Sequence, residues 1–315
     1  MRLKPAFKFV ALVLAISSLS ACAPQLVLPG PNITEPKITA TSLIMTDGAA
    51  LPLHRWQPND KSPKAVILAL HGFNDYGLFV KEGAKYFANR GLLVYAYDQR
   101  GFGAAPHHGR WPGRKALADD LISATKLIRS NHPNKPLYLL GTSMGGAVMM
   151  TAMTRRKPPH VDGIILAAPA VWGRDSMAFY ERWALGLLSH TLPWVTLSGR
   201  GLKIKPSDNI EMLRALGRDP LIIKETPIDT IWGLANLMDE AAAEAAKFRS
   251  KALILYGERD EVIKKAPTEK MLARLPKSTA SKRKLIRYKN GYHMLLRDLQ
   301  AKNVWRDIAE WIDNK

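Results

Sequence analysis

Cysteine, metal-binding motifs and long apolar segments are nearly or wholly missing from this sequence. Cys22 is the single cysteine among 315 residues, so no disulfide can form within the chain. There is no His-Glu-x-x-His motif and no cysteine cluster, and we therefore expect neither a metal nor another cofactor. No apolar run approaches the roughly 20 residues that a membrane-spanning helix needs.

Acidic residues are also scarce, with 27 Asp or Glu against 46 Lys or Arg and a formal net charge of +19. Residues 247–315 carry 18 Lys or Arg against 8 Asp or Glu. This excess is typical of a solvated basic face, of attraction to anionic phospholipid, or of nucleic-acid binding. No recognised nucleic-acid motif accompanies the charge, so we expect no nucleic-acid partner. A hydrophobic content of 47% is sufficient for a large buried core.

The N-terminal residues resemble an export signal. Basic residues precede the apolar stretch 9–16, and the sequence Leu-Ser-Ala-Cys ending at Cys22 resembles the lipobox of bacterial lipoproteins. We expect residues 1–21 to be a signal peptide, Cys22 to carry lipid, and the Pro-rich residues 22–39 to form a tether. Ala23 after the cysteine favours the periplasmic face of the outer membrane within the bacterial cell envelope. The alternative is an ordinary signal peptide that contains a cysteine.

Apolar runs without polar alternation follow, separated by helical patterns. This arrangement predicts an α/β fold with a mostly parallel sheet covered by helices on both faces. Strands are predicted at 38–45, 51–56, 65–70, 92–97, 137–141, 163–168, 252–256 and 285–288, and helices at 79–89, 114–129, 144–155 and 304–312.

The alternation breaks in residues 170–239, which contain four of the eight tryptophans and no clear strand. We interpret this segment as a helical cap inserted between two parts of the core, residues 40–169 and 240–315. Residues 182–207 contain no Asp or Glu. The apolar and cationic composition of 183–205 predicts contact with a membrane surface. An ordinary cap that packs only on its own domain is the alternative.

The motif Gly-x-Ser-x-Gly, centred on Ser143, is the strongest chemical signal. It follows the apolar run 137–140 and precedes the apolar stretch 147–150. Strand, sharp turn and helix are the context of a nucleophile elbow, in which the serine hydroxyl is exposed at the turn. Ser143 is therefore the candidate nucleophile.

A serine hydroxyl needs a base, and the base needs a carboxylate that orients it. His293 follows the last predicted strand, and Asp260 follows the strand before it. The resulting chain order Ser, Asp, His is the order found in α/β folds that carry a nucleophile elbow. Glu258 and Glu261 are neighbouring carboxylates that could take this role in place of Asp260. Less suited histidines occur at positions 54, 132 and 160, whereas those at 107 and 108 could line a site.

Two backbone N–H groups must stabilise the oxyanion that forms on the substrate carbonyl. The N–H of Met144, directly after Ser143, is one candidate. Phe73 is the other, because it lies in the His71-Gly72-Phe73 loop that follows the predicted strand 65–70. His71 is interpreted as structural.

Several motifs together resemble those of the monoacylglycerol lipase and lysophospholipase branch of the α/β hydrolases, which includes serine aminopeptidase-like members. They are Leu70-His71-Gly72-Phe73, Asp98-Gln99-Arg100-Gly101-Phe102-Gly103, Gly141-Thr142-Ser143-Met144-Gly145-Gly146, Gly257-Glu258-Arg259-Asp260 and Gly291-Tyr292-His293. The resemblance covers roughly residues 40–315. It implies a structural role for Asp98, a single-chain lipid ester as substrate, and acyl transfer through an acyl-enzyme on Ser143.

The sequence is also compatible with other functions. A proline iminopeptidase-like enzyme needs acidic groups for a substrate amino terminus, which Glu181 and Asp175 of the cap could supply. An acyltransferase would use an acceptor other than water. A non-catalytic envelope scaffold is a further alternative, although such proteins usually lose one of the three residues that this chain retains in order.

Overall fold

A computed structural model describes residues 23–59, 62–199, 201 and 203–314. The predicted signal peptide and Cys22 lie outside the described residues. In the part of the chain that is described, no helix is both long and apolar enough to cross a membrane.

The described chain begins with a small antiparallel unit. It consists of β1 (Lys37–Ile38), β2 (Ser42–Ile44) and β3 (Ala50–Trp56), with β2 pairing on both sides. The single strand predicted over 38–45 is therefore wrong, because the chain reverses between Ile38 and Ser42 and pairs with itself. The Asp47-Gly48 turn joins β2 to β3 as predicted, and Gly48 has the positive φ of 79° that such turns require.

The remaining strands of the large sheet are parallel to one another. They are β4 (Ala65–Leu70), β5 (Leu92–Tyr97), β6 (Leu137–Thr142), β7 (Gly163–Ala167), β10 (Ala252–Gly257) and β11 (Arg283–Tyr288). The nine strands are ordered β1-β2-β3-β5-β4-β6-β7-β10-β11. Every predicted strand from residue 65 onward exists, with bounds shifted by at most two residues.

Eight α-helices connect or cover the described strands. They are α1 (Lys81–Ala88), α2 (Arg114–Asn131), α3 (Met144–Met153), α4 (Phe179–Thr191), α5 (Ile210–Arg218), α6 (Ile228–Glu244), α7 (Lys265–Arg274) and α8 (Ala301–Asp313). Short 3-10 turns occupy Gly77–Val80, Arg174–Ser176, Ala245–Lys247 and Lys277–Lys282.

The sheet is buried on both faces, which explains its uninterrupted apolar strands. In β4, Val66, Leu68 and Leu70 join the hydrophobic cluster on one face. Ala65, Ile67 and Ala69 join the cluster on the other face. Successive side chains of a strand point to opposite sides, so a strand covered on both sides must be apolar throughout.

The segment between β7 and β10 is largely helical and lies over the carboxyl ends of the parallel strands. It also contains β8 (Thr196–Ser198) and β9 (Glu225–Pro227), which pair antiparallel, so the expectation of no strand there is wrong. Both strands have only three residues, too few for a visible alternation. Helix α6 continues without a break past residue 239, the predicted end of the cap.

Residues of the predicted tether contact the core. The N–H of Val27 donates to the carbonyl of Trp111 (2.9 Å), and the N–H groups of Ile33 and Thr34 donate to the carbonyl of Thr46 (2.8 and 3.0 Å). The last residues of the 22–39 segment form β1. The described part of this segment is therefore attached to the domain surface at several points.

Candidate active site

Ser143 lies on a strained turn between β6 and α3. Its φ of 49° and ψ of −116° are unusual for a residue with a side chain and store roughly 1–3 kcal/mol of strain. Its N–H donates to the carbonyl of Ala167 (3.0 Å), and its carbonyl accepts from the N–H of Ala170 (2.9 Å). These two bonds to the end of β7 hold the turn in the conformation that lifts the hydroxyl off the helix axis.

Glycine is required beside this turn because backbone passes very close to it. A β-carbon on Gly145 would lie 2.8 Å from the carbonyl oxygen of His71 and closer still to that of Leu70. A β-carbon on Gly72 would lie 3.3 Å from Cβ of Ser143. The loop that contains Phe73 is therefore packed directly against Ser143.

His293 and Asp260 are joined by a hydrogen bond. Nδ1 of His293 lies 2.8 Å from Oδ2 of Asp260. The other carboxylate oxygen accepts from the N–H groups of Val262 and Ile263, both at 2.8 Å. Both side chains are more than nine-tenths buried. The backbone thus fixes the carboxylate, and the carboxylate fixes which imidazole nitrogen faces away from it.

His71 anchors the Phe73 loop and is itself neutral. Its Nδ1–H donates to the carbonyl of Gly72 (2.7 Å), and its Nε2 accepts from the N–H of Gln99 (2.9 Å). The side-chain amide of Gln99 donates back to the carbonyl of His71 (2.9 Å). Complete burial lowers the pKa of His71. The hydrogen bonds of this neutral imidazole position the Phe73 loop, which explains why a histidine precedes the glycine in the His-Gly motif.

Asp98 lies outside the site and organises the neighbouring loop. It accepts from Nε2 of His54 (3.1 Å) and from the N–H groups of Gly77 (2.8 Å) and Ala104 (2.9 Å). Burial alone would raise the pKa of Asp98, but these hydrogen bonds lower it below the usual value. The arrangement is that of a structural carboxylate.

Asp298 and Ser207 were not identified from the sequence. Oδ2 of Asp298 accepts from the N–H of Tyr292 (2.8 Å), and Oδ1 accepts from the hydroxyl of Ser207 (2.6 Å). The N–H of Met294 donates to the carbonyl of Pro206 (3.0 Å). The backbone on both sides of His293 is therefore tied to the cap segment. Ser, Asp and Asn, the residues at 207–209 before α5, are common at helix starts in general, so the sequence there carries no signal of a link to His293.

Ser143 and His293 line one cavity of about 370 Å³ beneath the cap. Phe73 also lines it, and Met144 is fully buried as the first residue of α3. The cavity wall is mainly apolar: Ala170, Trp172, Met177, Ile204, Pro206, Ile231, Leu234, Ala235, Met238, Val262, Ile263 and Met294. Its size and lining suit an extended apolar group with its reactive carbon at Ser143.

Of the described residues that line this cavity, the one acidic and the one basic side chain, Asp75 and Arg297, neutralise each other. Arg297 forms an ion pair with Asp75 at the cavity wall. Glu181 is elsewhere and accepts from the N–H of Ala178 at the start of α4. Asp175 pairs with Lys270 and lines a separate pocket.

The rival residues considered from the sequence do not line this cavity. His132 contacts the Tyr95 hydroxyl, and His108 contacts the carbonyl of Gly103. Glu258 pairs with Lys265, whereas Glu261 accepts from a cap N–H. Among the described residues, no group of three or more His, Cys, Asp or Glu is arranged to hold a metal ion.

The strand order, the strained serine after β6 and the histidine after the last strand define an α/β hydrolase. Residues 61–300 match the sequence model of the family described as serine aminopeptidase, S33. The match spans most of the sequence, and the chain belongs to this family.

Several of the relatives that match most of this chain are named as lipases. The chain is 26% identical over 268 residues to a monoacylglycerol lipase of Mycolicibacterium smegmatis, with 82% of this chain and 90% of the relative covered. It is 28% identical over 286 residues to the monoglyceride lipase of Rattus norvegicus, with 87% and 90% covered. A crystal structure of a soluble variant of monoglyceride lipase from Saccharomyces cerevisiae, in complex with a substrate analogue, superposes with a TM-score of 0.72 at 19% identity and covers 91% of this chain and 98% of that one.

Proposed function

We propose that the protein is a serine carboxylesterase that hydrolyses single-chain lipid esters, with monoacylglycerol the favoured class. One observation carries this proposal: Ser143 and a His293 held by Asp260 open into the same apolar cavity. The similarity to monoacylglycerol and monoglyceride lipases supports the same substrate class.

The geometry supports a two-step acyl transfer. His293 takes the proton of Ser143 as the hydroxyl oxygen attacks the ester carbonyl, and the imidazolium is stabilised by Asp260. The N–H groups of Met144 and Phe73 stabilise the tetrahedral oxyanion. His293 then protonates the leaving alcohol. In the second step it activates a water molecule, which releases the fatty acid and regenerates Ser143.

Charge in the cavity favours an uncharged head group. Arg297 and Asp75 are already paired, so a lysophospholipid phosphate would have to break an existing ion pair in a partly buried place. An aminopeptidase substrate would need an unpaired carboxylate, and neither Glu181 nor Asp175 lines the cavity. A glycerol ester meets neither obstacle.

The first experiment tests the nucleophile and the substrate together. Purified protein, Ser143→Ala and the matched control Ser176→Ala, whose hydroxyl is exposed in the cap, are labelled with a fluorescent fluorophosphonate. We expect labelling of the parent and the control only. A panel of monoacylglycerols, lysophospholipids, short-chain esters and aminoacyl amides then follows, with product analysis in added alcohol. A preference for acetyl esters, amides or an alcohol acceptor would contradict the proposal.

The cap exposes an apolar surface that supports docking on a membrane. Phe179, Trp183 and Trp194 are 82%, 69% and 56% exposed, in or beside the predicted 183–205 segment, where no acidic residue occurs. Burying such side chains in lipid is favourable, and the basic residues of the segment attract anionic head groups.

The N-terminal segment reaches the same end of the molecule. Val27 is bonded to Trp111, whose ring centroid lies 6.4 Å from that of Phe73 in the cavity wall. A lipid on Cys22 would therefore insert near the cap. From the lipobox-like sequence that ends at Cys22 and from Ala23 after it, we further propose that the protein is a lipoprotein of the bacterial cell envelope, at the periplasmic face of the outer membrane.

Membrane docking has its own test. The double variant Trp183→Ala/Trp194→Ala should hydrolyse monomeric substrate at the parent rate and micellar substrate several times more slowly. The control Ile33→Ala/Leu299→Ala removes two apolar side chains outside the cap that are at least as exposed as the two tryptophans. Equal parent rates on monomeric and micellar substrate would count against the docking surface. Radiolabelled palmitate incorporation that is lost in Cys22→Ala tests the anchor separately.

A further inference from the structure

Another pocket lies at the opposite end of the sheet from Ser143. It has a volume of about 600 Å³ and lies at the starts of β10 and β11, where Ala252 pairs with Arg283. Asp260 and His293 follow the other ends of these strands. Each strand residue advances about 3.3 Å, so these six-residue strands separate the two places by roughly 17 Å or more.

This basic pocket carries strong positive charge without compensation. Its lining is Arg249, Ser250, Lys251, Ser281, Lys282, Arg283, Lys284 and Trp311, five cations and no acid. Among the described residues, Arg249, Lys282 and Lys284 make no ion pair with an acidic side chain. At the other end of the same strands the pattern differs, because Lys265 and Arg287 both pair with Glu258.

Two of the five cations are held in position. The guanidinium of Arg283 donates to the carbonyl of Pro276 (2.7 Å) and to the hydroxyl of Thr279 (3.0 Å). The ammonium of Lys251 lies 5.2 Å from the centre of the Trp311 ring. Their charges are therefore preorganised, and the loss of side-chain freedom on binding an anion is reduced.

We propose that the basic pocket binds a small, soluble anion that carries phosphate groups. A phosphate offers three acceptor oxygens and close to two negative charges, which suits converging Lys, Arg and Ser donors. A volume of about 600 Å³ is large enough to admit a small molecule. The cap surface proposed to face lipid lies at the other end of the sheet, so a flat bilayer in contact with the cap leaves the basic pocket facing the solvent.

The test uses the full-length protein in neutral detergent and inorganic pyrophosphate as the probe. Isothermal titration calorimetry at low ionic strength should detect saturable binding to the parent. Arg249→Gln/Lys282→Gln/Lys284→Gln should weaken this binding at least tenfold. Lys81→Gln/Lys126→Gln/Lys157→Gln makes the same change in net charge at exposed lysines outside the pocket and should change the affinity less than twofold.

Three outcomes would overturn the proposal. Equal weakening in both triple variants would mean that only overall charge attracts the anion. If the protein does not bind pyrophosphate but binds phosphatidylglycerol vesicles, and the pocket variant loses that binding, the pocket contacts a lipid surface. If the protein does not bind pyrophosphate but binds a DNA duplex, and the pocket variant loses that binding, the pocket contacts nucleic acid. Ester hydrolysis of each variant is measured separately, so that a failure of anion binding can be distinguished from a failure of the proposed esterase activity.

Discussion

Replacing Asp260 by asparagine tests how the site holds its histidine. One oxygen of Asp260 accepts two backbone N–H groups, those of Val262 and Ile263, each at 2.8 Å. In the variant, the amide oxygen must take this position because an NH2 group there would face two donors. The amide NH2 is then left facing Nδ1 of His293, where the carboxylate oxygen now lies at 2.8 Å.

The consequence is a change of tautomer. An NH2 donor requires an unprotonated Nδ1, so the imidazole proton moves to Nε2, the nitrogen that must accept the proton of Ser143. Loss of the correct tautomer and of the charge that stabilises the imidazolium costs roughly 10³–10⁴ in kcat in a site of this kind. That range corresponds to about 4–5.5 kcal/mol of transition-state stabilisation.

The assay is kcat for a soluble p-nitrophenyl ester, measured beside Glu258→Gln. The control makes the same change of acid to amide in the same loop, but Glu258 pairs with exposed Lys265 and not with His293. We expect the control to keep at least half of the parent kcat, and thermal unfolding checks that both variants fold. A folded Asp260→Asn enzyme with more than a tenth of the parent kcat would refute this account of the site.

Three further predictions concern packing, pH and chain length. Gly145→Ala should destabilise the protein by about 1–3 kcal/mol or more in chemical denaturation, because the new methyl group meets backbone, whereas Gly186→Ala, with its nearest atom 3.9 Å away, should not. Asp98→Asn should cost about 1–3 kcal/mol at neutral pH. The pKa of Asp98 is lowered in the folded protein, so the stabilisation that its carboxylate provides is present above about pH 4 and is lost as the pH falls through the pKa of the folded state. The free energies of unfolding of parent and variant should therefore converge in acid. A difference between them that does not change with pH would contradict this role of Asp98. Leu234 lines the cavity, so Leu234→Trp should lower kcat/KM for long-chain relative to short-chain esters by roughly tenfold, because each methylene group that no longer fits in the cavity costs about 0.8 kcal/mol. An unchanged dependence of kcat/KM on chain length would show that the acyl chain lies elsewhere.

The fold could be predicted from sequence wherever local pattern and burial agree. The parallel strands from Ala65 onward are apolar without alternation because both faces are covered, and this signal lies in consecutive residues. Helix α7 and the three-residue strands β8 and β9 were not predicted. Helix α7 contains Pro267 in its first turn and few apolar residues, and the two strands are too short for a periodic pattern.

Sequence alone determined which residues are candidates for catalysis, because the elbow motif and the order of Ser143, Asp260 and His293 are local and sequential features. Only the tertiary structure decided their surroundings. It closed an apolar cavity over Ser143, paired Arg297 with Asp75 inside it, and joined Asp298 to Ser207 across 91 residues of chain. Such contacts depend on how distant segments pack, and no spacing between neighbouring residues encodes them.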